Sequence, residues 1–133
     1  MITHLLDTSA WLAHALHEPG SDVVAGLLLN ADHQVGVSVL SLFELHGRMR
    51  QLGVEDRFNE IVADYKTLFA AILAVDEPVA NRAVDLRRAA GARVPAIDAF
   101  IAATAAHHNA VLVHRDPHFS SLPEEAVRQQ ALY

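Results

Sequence analysis

Short apolar runs alternate along this chain with longer segments whose apolar residues recur at helical spacing. The runs lie at residues 2–6, 35–39, 71–75 and 111–113. An alternation of this kind is typical of α/β domains, in which helices cover a mainly parallel sheet. Four strands are therefore predicted, joined by helices.

Helical spacing and local stop signals delimit the segments between these runs. Asn30 is predicted to end one helix in the left-handed conformation, which asparagine tolerates, and Asn109 is predicted to stop another. The tail from Pro123 is predicted to add a last helical turn or two. The predicted helices cover a segment that begins at residue 8 or 9 and includes Trp11, followed by 21–29, 41–53, 55–69, 77–90 and 95–108.

Composition limits the classes of protein to which the chain can belong. Its 133 residues suffice for one domain with a proper core, and hydrophobic residues make up 52% of them. A single domain over residues 1–133 is predicted. The chain has no cysteine, which excludes disulfides, cysteine-bound zinc and a thiol nucleophile.

Charge and hydropathy leave the partner open but argue against a membrane. The formal net charge of −6 is unusual for a phosphate-binding protein, although metal-neutralised acids would weaken that argument. The basic side chains are nine arginines and one lysine, Lys66, and arginine is the better residue for bidentate contacts with phosphate. The longest apolar stretch, 68–75, is far shorter than the ~20 residues of a membrane span. With an acid at position 7, before any signal-peptide apolar region, a cytoplasmic protein is expected.

Four acids occupy positions with little local reason for a charge. Asp7 closes the first apolar run, and Asp116 comes soon after the last predicted strand. Glu44 and Asp98 interrupt apolar segments near the predicted starts of two helices. Charged groups are rarely buried unless they are paired or bind a metal. Because the carboxyl ends of parallel strands meet at one edge of a sheet, folding is predicted to gather these acids there.

Each acid also has an ordinary structural interpretation. Asp7 could cap a helix, although Thr8 and Ser9 are available for that purpose. Glu44 follows Ser41 in the spacing of a capping box, which is compatible with a further role as ligand. The helix dipole would favour Asp98, and Asp116 suits a turn.

Electrostatic repulsion indicates what a gathered cluster would require. Two charges ~5 Å apart at an effective dielectric constant of ~20 repel by roughly 3 kcal/mol. The summed repulsion of several such pairs would be comparable to the whole free energy of unfolding of a small domain. Hard divalent cations such as Mg²⁺ or Mn²⁺, which prefer oxygen ligands, would offset this cost.

Four segments that contain these acids resemble the PIN-domain ribonucleases, specifically the VapC-type toxins of bacterial toxin–antitoxin pairs. Their order and spacing match that family from the first strand almost to the end of the chain. The segments are LDTSAW at 6–11, SVLSLFEL at 38–45, IDAFIAATA at 97–105 and VLVHRDPHF at 111–119.

The resemblance implies a PIN-like three-layer α/β/α sandwich with a central, mainly parallel sheet of four or five strands. It implies that Asp7, Glu44, Asp98 and Asp116 are an acidic quartet that holds one or two Mg²⁺ or Mn²⁺ ions. These ions would activate water for in-line attack on an RNA phosphodiester. Ser9 would supply a hydroxyl near the metal-bound waters.

The resemblance also implies protein partners. The family usually forms homodimers and is inhibited by a cognate antitoxin, in a heterotetramer or a larger complex. The antitoxin often lies in an apolar groove. Candidate groove residues, each of which would serve equally well in an ordinary core, are Trp11, Leu42, Phe43, Leu45 and Phe58.

One residue departs from the family pattern, because His114 stands where many relatives have threonine or serine. A histidine there could orient a metal-bound water, contact phosphate or simply pack.

Other functions fit the residues less well. Nine histidines suggest zinc, with the pairs His14 and His17 or His107 and His108, but none of these joins a carboxylate in a zinc-binding spacing. An aspartyl-nucleophile phosphatase would need a second acid two residues after Asp7. A phosphorelay receiver would need a lysine after a later strand. The main alternative is a PIN-fold RNA-binding or RNA-processing protein outside a toxin–antitoxin pair, with or without catalytic activity.

Overall fold

A computed structural model describes residues 1–133 and shows a five-stranded sheet flanked by six α-helices. The strands are β1 (His4–Leu6), β2 (Val35–Ser38), β3 (Ala71–Leu73), β4 (Val111–His114) and β5 (Gln129–Ala131). The helices are α1 (Thr8–Ala15), α2 (Ser21–Leu29), α3 (Val39–Gln51), α4 (Phe58–Lys66), α5 (Glu77–Ala89) and α6 (Ala96–His107). Two 3₁₀ turns lie at Glu55–Arg57 and Pro117–Ser121.

The sheet is parallel throughout, with the strand order β3-β2-β1-β4-β5. Leu6 at the end of β1 pairs with Val37 on one side and with Val113 on the other. The chain first builds outward from β1 to β3 and then continues on the opposite side with β4 and β5. The strand order therefore reverses between β1 and β4, which is the position where open α/β sheets bind ligands.

Two hydrophobic clusters lie on opposite faces of the sheet. Leu5 and Leu112 belong to a cluster shared with α5 and α6. Leu6 and Val113 belong to a second cluster, shared with the first four helices. Successive strand residues point to opposite faces, so a strand covered on both sides needs a continuous apolar run. This arrangement confirms the predicted three-layer α/β/α sandwich with a sheet of four or five strands.

The tail after Pro123 was predicted to be helical, and this prediction is wrong. Gln129–Ala131 forms the edge strand β5, in which Gln129 pairs with Leu112 and Ala131 pairs with His114. Polar residues in this strand conceal the usual apolar alternation, because the pairing depends on β4 rather than on local preference.

Several helix ends differ from the predicted ones. The helix predicted from residue 41 begins at Val39, because the Ser38 hydroxyl accepts a hydrogen bond from the Leu40 amide at 3.1 Å and caps it. The segment 55–69 divides into a 3₁₀ turn and α4. Asn30 has a φ of −83°, so the prediction that it is left-handed is wrong, whereas Asn109, which follows the end of α6, is left-handed with a φ of +52°.

None of the helices combines the length and the apolar character that crossing a membrane requires.

Candidate metal centre

The first and last of the four acids follow neighbouring strands at the switch point of the sheet. Asp7 comes directly after β1, and its amide donates a hydrogen bond to the Val113 carbonyl of β4 at 2.9 Å. Asp116 comes two residues after the end of β4. Parallel pairing brings the carboxyl ends of β1 and β4 to the same edge of the sheet. Both acids therefore lie at the edge predicted from the sequence.

Asp7 is almost wholly buried, with 2% of its surface exposed. It caps α1 itself, since its Oδ2 accepts hydrogen bonds from the Ser9 amide at 3.0 Å and the Ser9 hydroxyl at 2.5 Å. The expectation that Thr8 or Ser9 would take over this role is wrong, because helix α1 begins at Thr8, one residue earlier than that requires. The other carboxylate oxygen, Oδ1, is buried without a hydrogen-bond partner.

Burial raises the pKa of Asp7 to about 7, although the hydrogen bonds from Ser9 oppose that shift. The negative charges of Asp98 and Glu44 raise the pKa further. A carboxylate buried beside other carboxylates is unstable without a compensating charge. Asp7 thus has the environment of a residue that needs either a proton or a cation.

Glu44 lies in the second turn of α3, where it contacts α1. Its Oε1 lies 2.6 Å from the Thr8 hydroxyl, which is also 2.9 Å from the buried Ser41 hydroxyl. Because Ser38 is the N-cap of α3, Ser41 is inside the helix, and the proposed capping box of Ser41 and Glu44 is wrong. The hydrogen bond from the Thr8 hydroxyl orients the Glu44 carboxylate toward the start of α1, where Asp7 lies, and not toward the start of α3.

Asp98 and Asp116 converge on a third side chain, His118. The Nδ1 atom of His118 is 3.1 Å from Asp98 Oδ2 and 3.2 Å from Asp116 Oδ1. One ligand-type atom from each of these three residues lies within 4.8 Å of the others. Burial raises the pKa of Asp98, and the charges of Asp116 and Glu44 act in the same direction.

The local structure explains these two positions. Asp98 is the third residue of α6, and the preceding Pro95 makes no side-chain cap. Asp116 caps the 3₁₀ turn Pro117–Ser121, with its Oδ1 accepting from the His118 amide at 2.9 Å. That turn carries His118 back toward the start of α6. The structure therefore places all four predicted acids in one electrostatically coupled group.

Ser9 links the segments that follow β1 and β4 through its hydroxyl group. Its hydroxyl donates to Asp7 and accepts from the Arg115 amide at 2.9 Å. Arg115 follows β4 directly, and its guanidinium lies 3.5 Å from Glu18. Ser9 therefore fixes the position of Asp7 relative to the segment that carries Asp116.

His114 packs in the interior, which is one of the three roles considered for it. It is 1% exposed, and its Nε2 lies 2.9 Å from Gln129 Oε1. Its Nδ1 accepts a hydrogen bond from the Asp116 amide at 3.2 Å. Burial lowers the pKa of His114, consistent with a neutral ring that donates through Nε2. Both ring nitrogens are thus occupied in supporting the Asp116 segment.

His118 is the site residue that the sequence analysis did not identify. Its spacing from Asp116 is a usable signal, since a proline between them favours a tight turn that returns the second side chain to the first. The contact with Asp98, 20 residues away, depends on tertiary structure and has no local sign.

The residues present fit a divalent cation. The donor set combines carboxylate oxygens with one imidazole nitrogen, and the buried Oδ1 of Asp7 has no protein partner. Carboxylates suit Mg²⁺ and Mn²⁺, and a single imidazole is also compatible with transition metals. Asp98, Asp116 and His118 are the side chains whose ligand atoms lie within 4.8 Å of one another, and Asp7 and Glu44 are the further carboxylates predicted to hold such an ion.

The histidine pairs considered for zinc do not assemble a site. His14 Nδ1 lies 2.6 Å from the Tyr65 hydroxyl, and His14 belongs to no group of three potential metal ligands. The rings of His107 and His108 lie edge to face, with their centroids 5.2 Å apart. No third ligand joins either pair.

Of the five residues suggested for an apolar groove, Trp11 and Leu45 are buried, whereas Leu42, Phe43 and Phe58 are at least partly exposed. Trp11 and Leu45 are core residues, with at most 1% of their surface exposed. Trp11 is therefore not available as a surface contact, whereas Leu45 still lines the apolar cavity between α1, α3 and α4. Phe43 is 76% exposed. The cavity has a volume of about 230 Å³. Its lining residues include Leu12, Leu16, Leu45, Met49, Leu52 and Ile61.

Solved structures with this architecture come from several bacteria. A chain of FitAcB from Neisseria gonorrhoeae is 29% identical, with a TM-score of 0.76 and 98% of each chain covered. A chain of DNA-bound VapBC from Salmonella typhimurium is 20% identical, with a TM-score of 0.78 and 100% of each chain covered. VapBC-5 from Mycobacterium tuberculosis, a member of the VapBC family of toxin–antitoxin systems, has a TM-score of 0.71 at 22% identity, with 98% of this chain and 99% of that chain covered.

Sequence comparison gives the family directly. No curated protein is significantly similar to the chain in sequence. The sequence model of the PIN domain, however, matches residues 4–125, which include all four acids, Ser9 and His118. The chain belongs to the PIN domain family.

Proposed function

We propose that this protein is a Mg²⁺- or Mn²⁺-dependent endoribonuclease and the toxin of a VapBC-type toxin–antitoxin pair. The observation that carries the nuclease proposal is the convergence of four acids on one sheet edge. Within it, the buried Oδ1 of Asp7 lacks any protein partner. The charges of Asp98 and Glu44 destabilise the ionised form of Asp7. A divalent cation would reverse that effect by binding the ionised carboxylates.

The protein side chains have separate tasks in this proposal. Asp7, Glu44, Asp98 and Asp116 hold the cation, which when bound supplies a nucleophilic water at neutral pH and offsets charge on the scissile phosphate. Ser9 keeps Asp7 Oδ2 in place, so that Oδ1 is left for the cation. Thr8 holds Glu44 in the same way. A preorganised set of ligands avoids rearrangement during the reaction.

The toxin assignment draws on the comparisons and on the surface beside the site. FitAcB is 29% identical over nearly the whole chain, and VapBC-5 belongs to a family of toxin–antitoxin systems. The apolar cavity between α1, α3 and α4 offers a place for the apolar side chains of an antitoxin segment. We propose a cognate antitoxin as partner and a homodimer within the assembled complex.

RNA cleavage tests the nuclease proposal directly. Purified protein is incubated with structured RNAs in Mg²⁺, in Mn²⁺ and in EDTA. Cleavage is expected with either metal and not in EDTA, and Asp7→Asn or Asp98→Asn is expected to reduce the rate by at least about 100-fold, the scale of losing an essential electrostatic group. The exposed Asp22 provides a matched control, and Asp22→Asn should retain the wild-type rate.

The outcomes separate this proposal from the alternatives. Cleavage that persists in EDTA, or that Asp7→Asn and Asp98→Asn leave unchanged, would reject the metal-dependent mechanism. RNA binding without cleavage would instead support an RNA-binding PIN protein. The RNA itself is then identified by mapping cleavage sites in total cellular RNA after controlled expression.

A further inference from the structure

A polar groove lies at the connection between α5 and α6. It has a volume of about 440 Å³, and its lining residues are Arg87, Ala90, Gly91, Ala92, Arg93, Val94 and Ala96. Ala96 begins α6, two residues before Asp98. The Gly91 amide donates to the Ser121 carbonyl at 3.0 Å, which holds the connection against the 3₁₀ turn that carries His118. The groove therefore lies at the end of α6 that carries Asp98.

The arginines of this groove differ from most arginines in the chain. Six of the nine make a side-chain hydrogen bond or an ion pair within the protein: Arg48, Arg50, Arg57, Arg88, Arg115 and Arg128. Arg87 and Arg93 are exposed, and neither guanidinium contacts an acid or a carbonyl group. The third arginine without such a partner, Arg82, is also on α5. The three arginines without a partner thus all lie on α5 and its connection to α6, and Lys66 on α4 is the other basic side chain without one.

A polyanionic substrate requires positive charge next to an acidic site. A bound cation would offset charge on the scissile phosphate, but the neighbouring phosphates of an RNA strand would meet a protein with a net charge of −6. Guanidinium groups bind phosphate oxygens through paired hydrogen bonds. The small side chains of Ala90, Gly91 and Ala92 leave the groove accessible to a sugar–phosphate backbone.

We propose that Arg87 and Arg93 bind backbone phosphates of the RNA that flank the scissile phosphate. This inference rests on the proposed nuclease function and adds a substrate-binding surface to it. Each arginine neutralises one phosphate, so the contact is independent of base identity. The groove then orients the strand so that its next phosphate reaches the acids at the end of β1 and β4.

Salt-dependent RNA binding tests this surface. A fluorescein-labelled single-stranded RNA is titrated with protein in EDTA, so that no cleavage follows, and anisotropy is measured from about 50 to 200 mM salt. Each phosphate contact contributes about 0.7 to the slope of log K against log salt concentration. The double variant Arg87→Gln/Arg93→Gln should bind about tenfold more weakly at the lower salt concentration, with a slope reduced in magnitude by about 1.4.

The neighbouring Arg88 provides the matched control. It is also exposed but pairs with Asp85 at 3.8 Å, so Arg88→Gln should keep both the wild-type affinity and the wild-type slope. Far-UV circular dichroism checks that the variants fold, and kcat and KM with metal present provide a second readout, in which KM should rise more than kcat falls.

Two results would overturn the inference. One is a double variant whose affinity and slope equal those of Arg88→Gln, and the other is a wild-type protein that binds no RNA in EDTA. If the wild-type protein nevertheless cleaves RNA with metal, only the groove is rejected. If it neither binds nor cleaves RNA, the proposed function fails as well.

Discussion

At the scale of single residues, Asp7 explains most about the site. Its two carboxylate oxygens have different environments, because Ser9 occupies Oδ2 and nothing in the protein occupies the buried Oδ1. A helix cap alone needs only one oxygen on the amide of the second or third residue that follows. The cap and the ligand roles are therefore compatible, and the sequence could not distinguish them because both require an aspartate at the same position.

The raised pKa of Asp7 predicts how the stability of the metal-free protein depends on pH. The folded-state pKa of about 7 exceeds the ordinary value of 3.8, so between these values the folded state binds more protons than the unfolded state. The free energy of unfolding should therefore fall as pH rises from about 4 to about 7, by a few kcal/mol from this group.

Urea unfolding in EDTA at pH 4.5 and pH 8 measures this dependence, and Asp7→Asn serves as the comparison. The asparagine variant retains the shape and the cap but has no carboxylate to ionise. Its stability relative to the wild type should increase between the two pH values. The difference between the two proteins removes contributions from other groups, such as the histidines whose pKa is lowered by burial. If the two proteins differ in unfolding free energy by the same amount at both pH values, the pKa of Asp7 is not raised in the folded state.

At the scale of secondary structure, the last strand supports the site from behind. Gln129 of β5 links three segments, since its Oε1 contacts His114 Nε2 at 2.9 Å and its Nε2 donates to the carbonyls of Phe119 and Leu122. His114 in turn accepts from the Asp116 amide. An edge strand of polar residues thus orders the turn that carries Asp116 and His118.

Replacing Gln129 with leucine should destabilise the protein by about 2 kcal/mol. The change removes three hydrogen bonds and leaves the buried His114 Nε2 without an acceptor, and an unsatisfied buried donor alone costs about 1–3 kcal/mol. Urea denaturation monitored by circular dichroism gives this quantity. Gln130, the next residue of the strand, has no side-chain hydrogen bond, so Gln130→Leu should change the stability by less than about 0.5 kcal/mol. If the two substitutions lower the stability equally, the hydrogen bonds of Gln129 do not contribute the expected stabilisation.

These elements show where sequence reasoning succeeds and where it stops. The four apolar runs became β1 to β4, because strands buried on both faces need uninterrupted apolar residues. Strand β5 was missed because its residues Gln129, Gln130 and Ala131 carry no such signal. The start of α3 was predicted two residues too late, because Ser38 and Ser41 are both good N-caps. Only the end of β2 at Ser38 determines which serine caps the helix. His118 joined the site through a contact with Asp98 that no local pattern encodes.

At the scale of the whole molecule, the fold converts distant acids into one charged group. Asp7 and Asp116 are separated by more than 100 positions in sequence, yet parallel pairing of β1 and β4 carries them to one edge. Helices α3 and α6 bring Glu44 and Asp98 near enough for the charge of each to raise the pKa of Asp7. Part of the net charge of −6 is therefore concentrated at a single position.

A calorimetric titration of the protein with Mn²⁺ tests most directly whether this group is one metal centre. The wild-type protein should bind Mn²⁺ with a measurable heat, and Asp98→Asn and Asp116→Asn should each weaken binding by at least about tenfold, because each removes a charged ligand. Both variants should fold normally, and the exposed Asp22→Asn control should bind like the wild type. Wild-type protein that gives no Mn²⁺ binding, or variants that bind as tightly as the wild type, would contradict a metal centre shared by these acids.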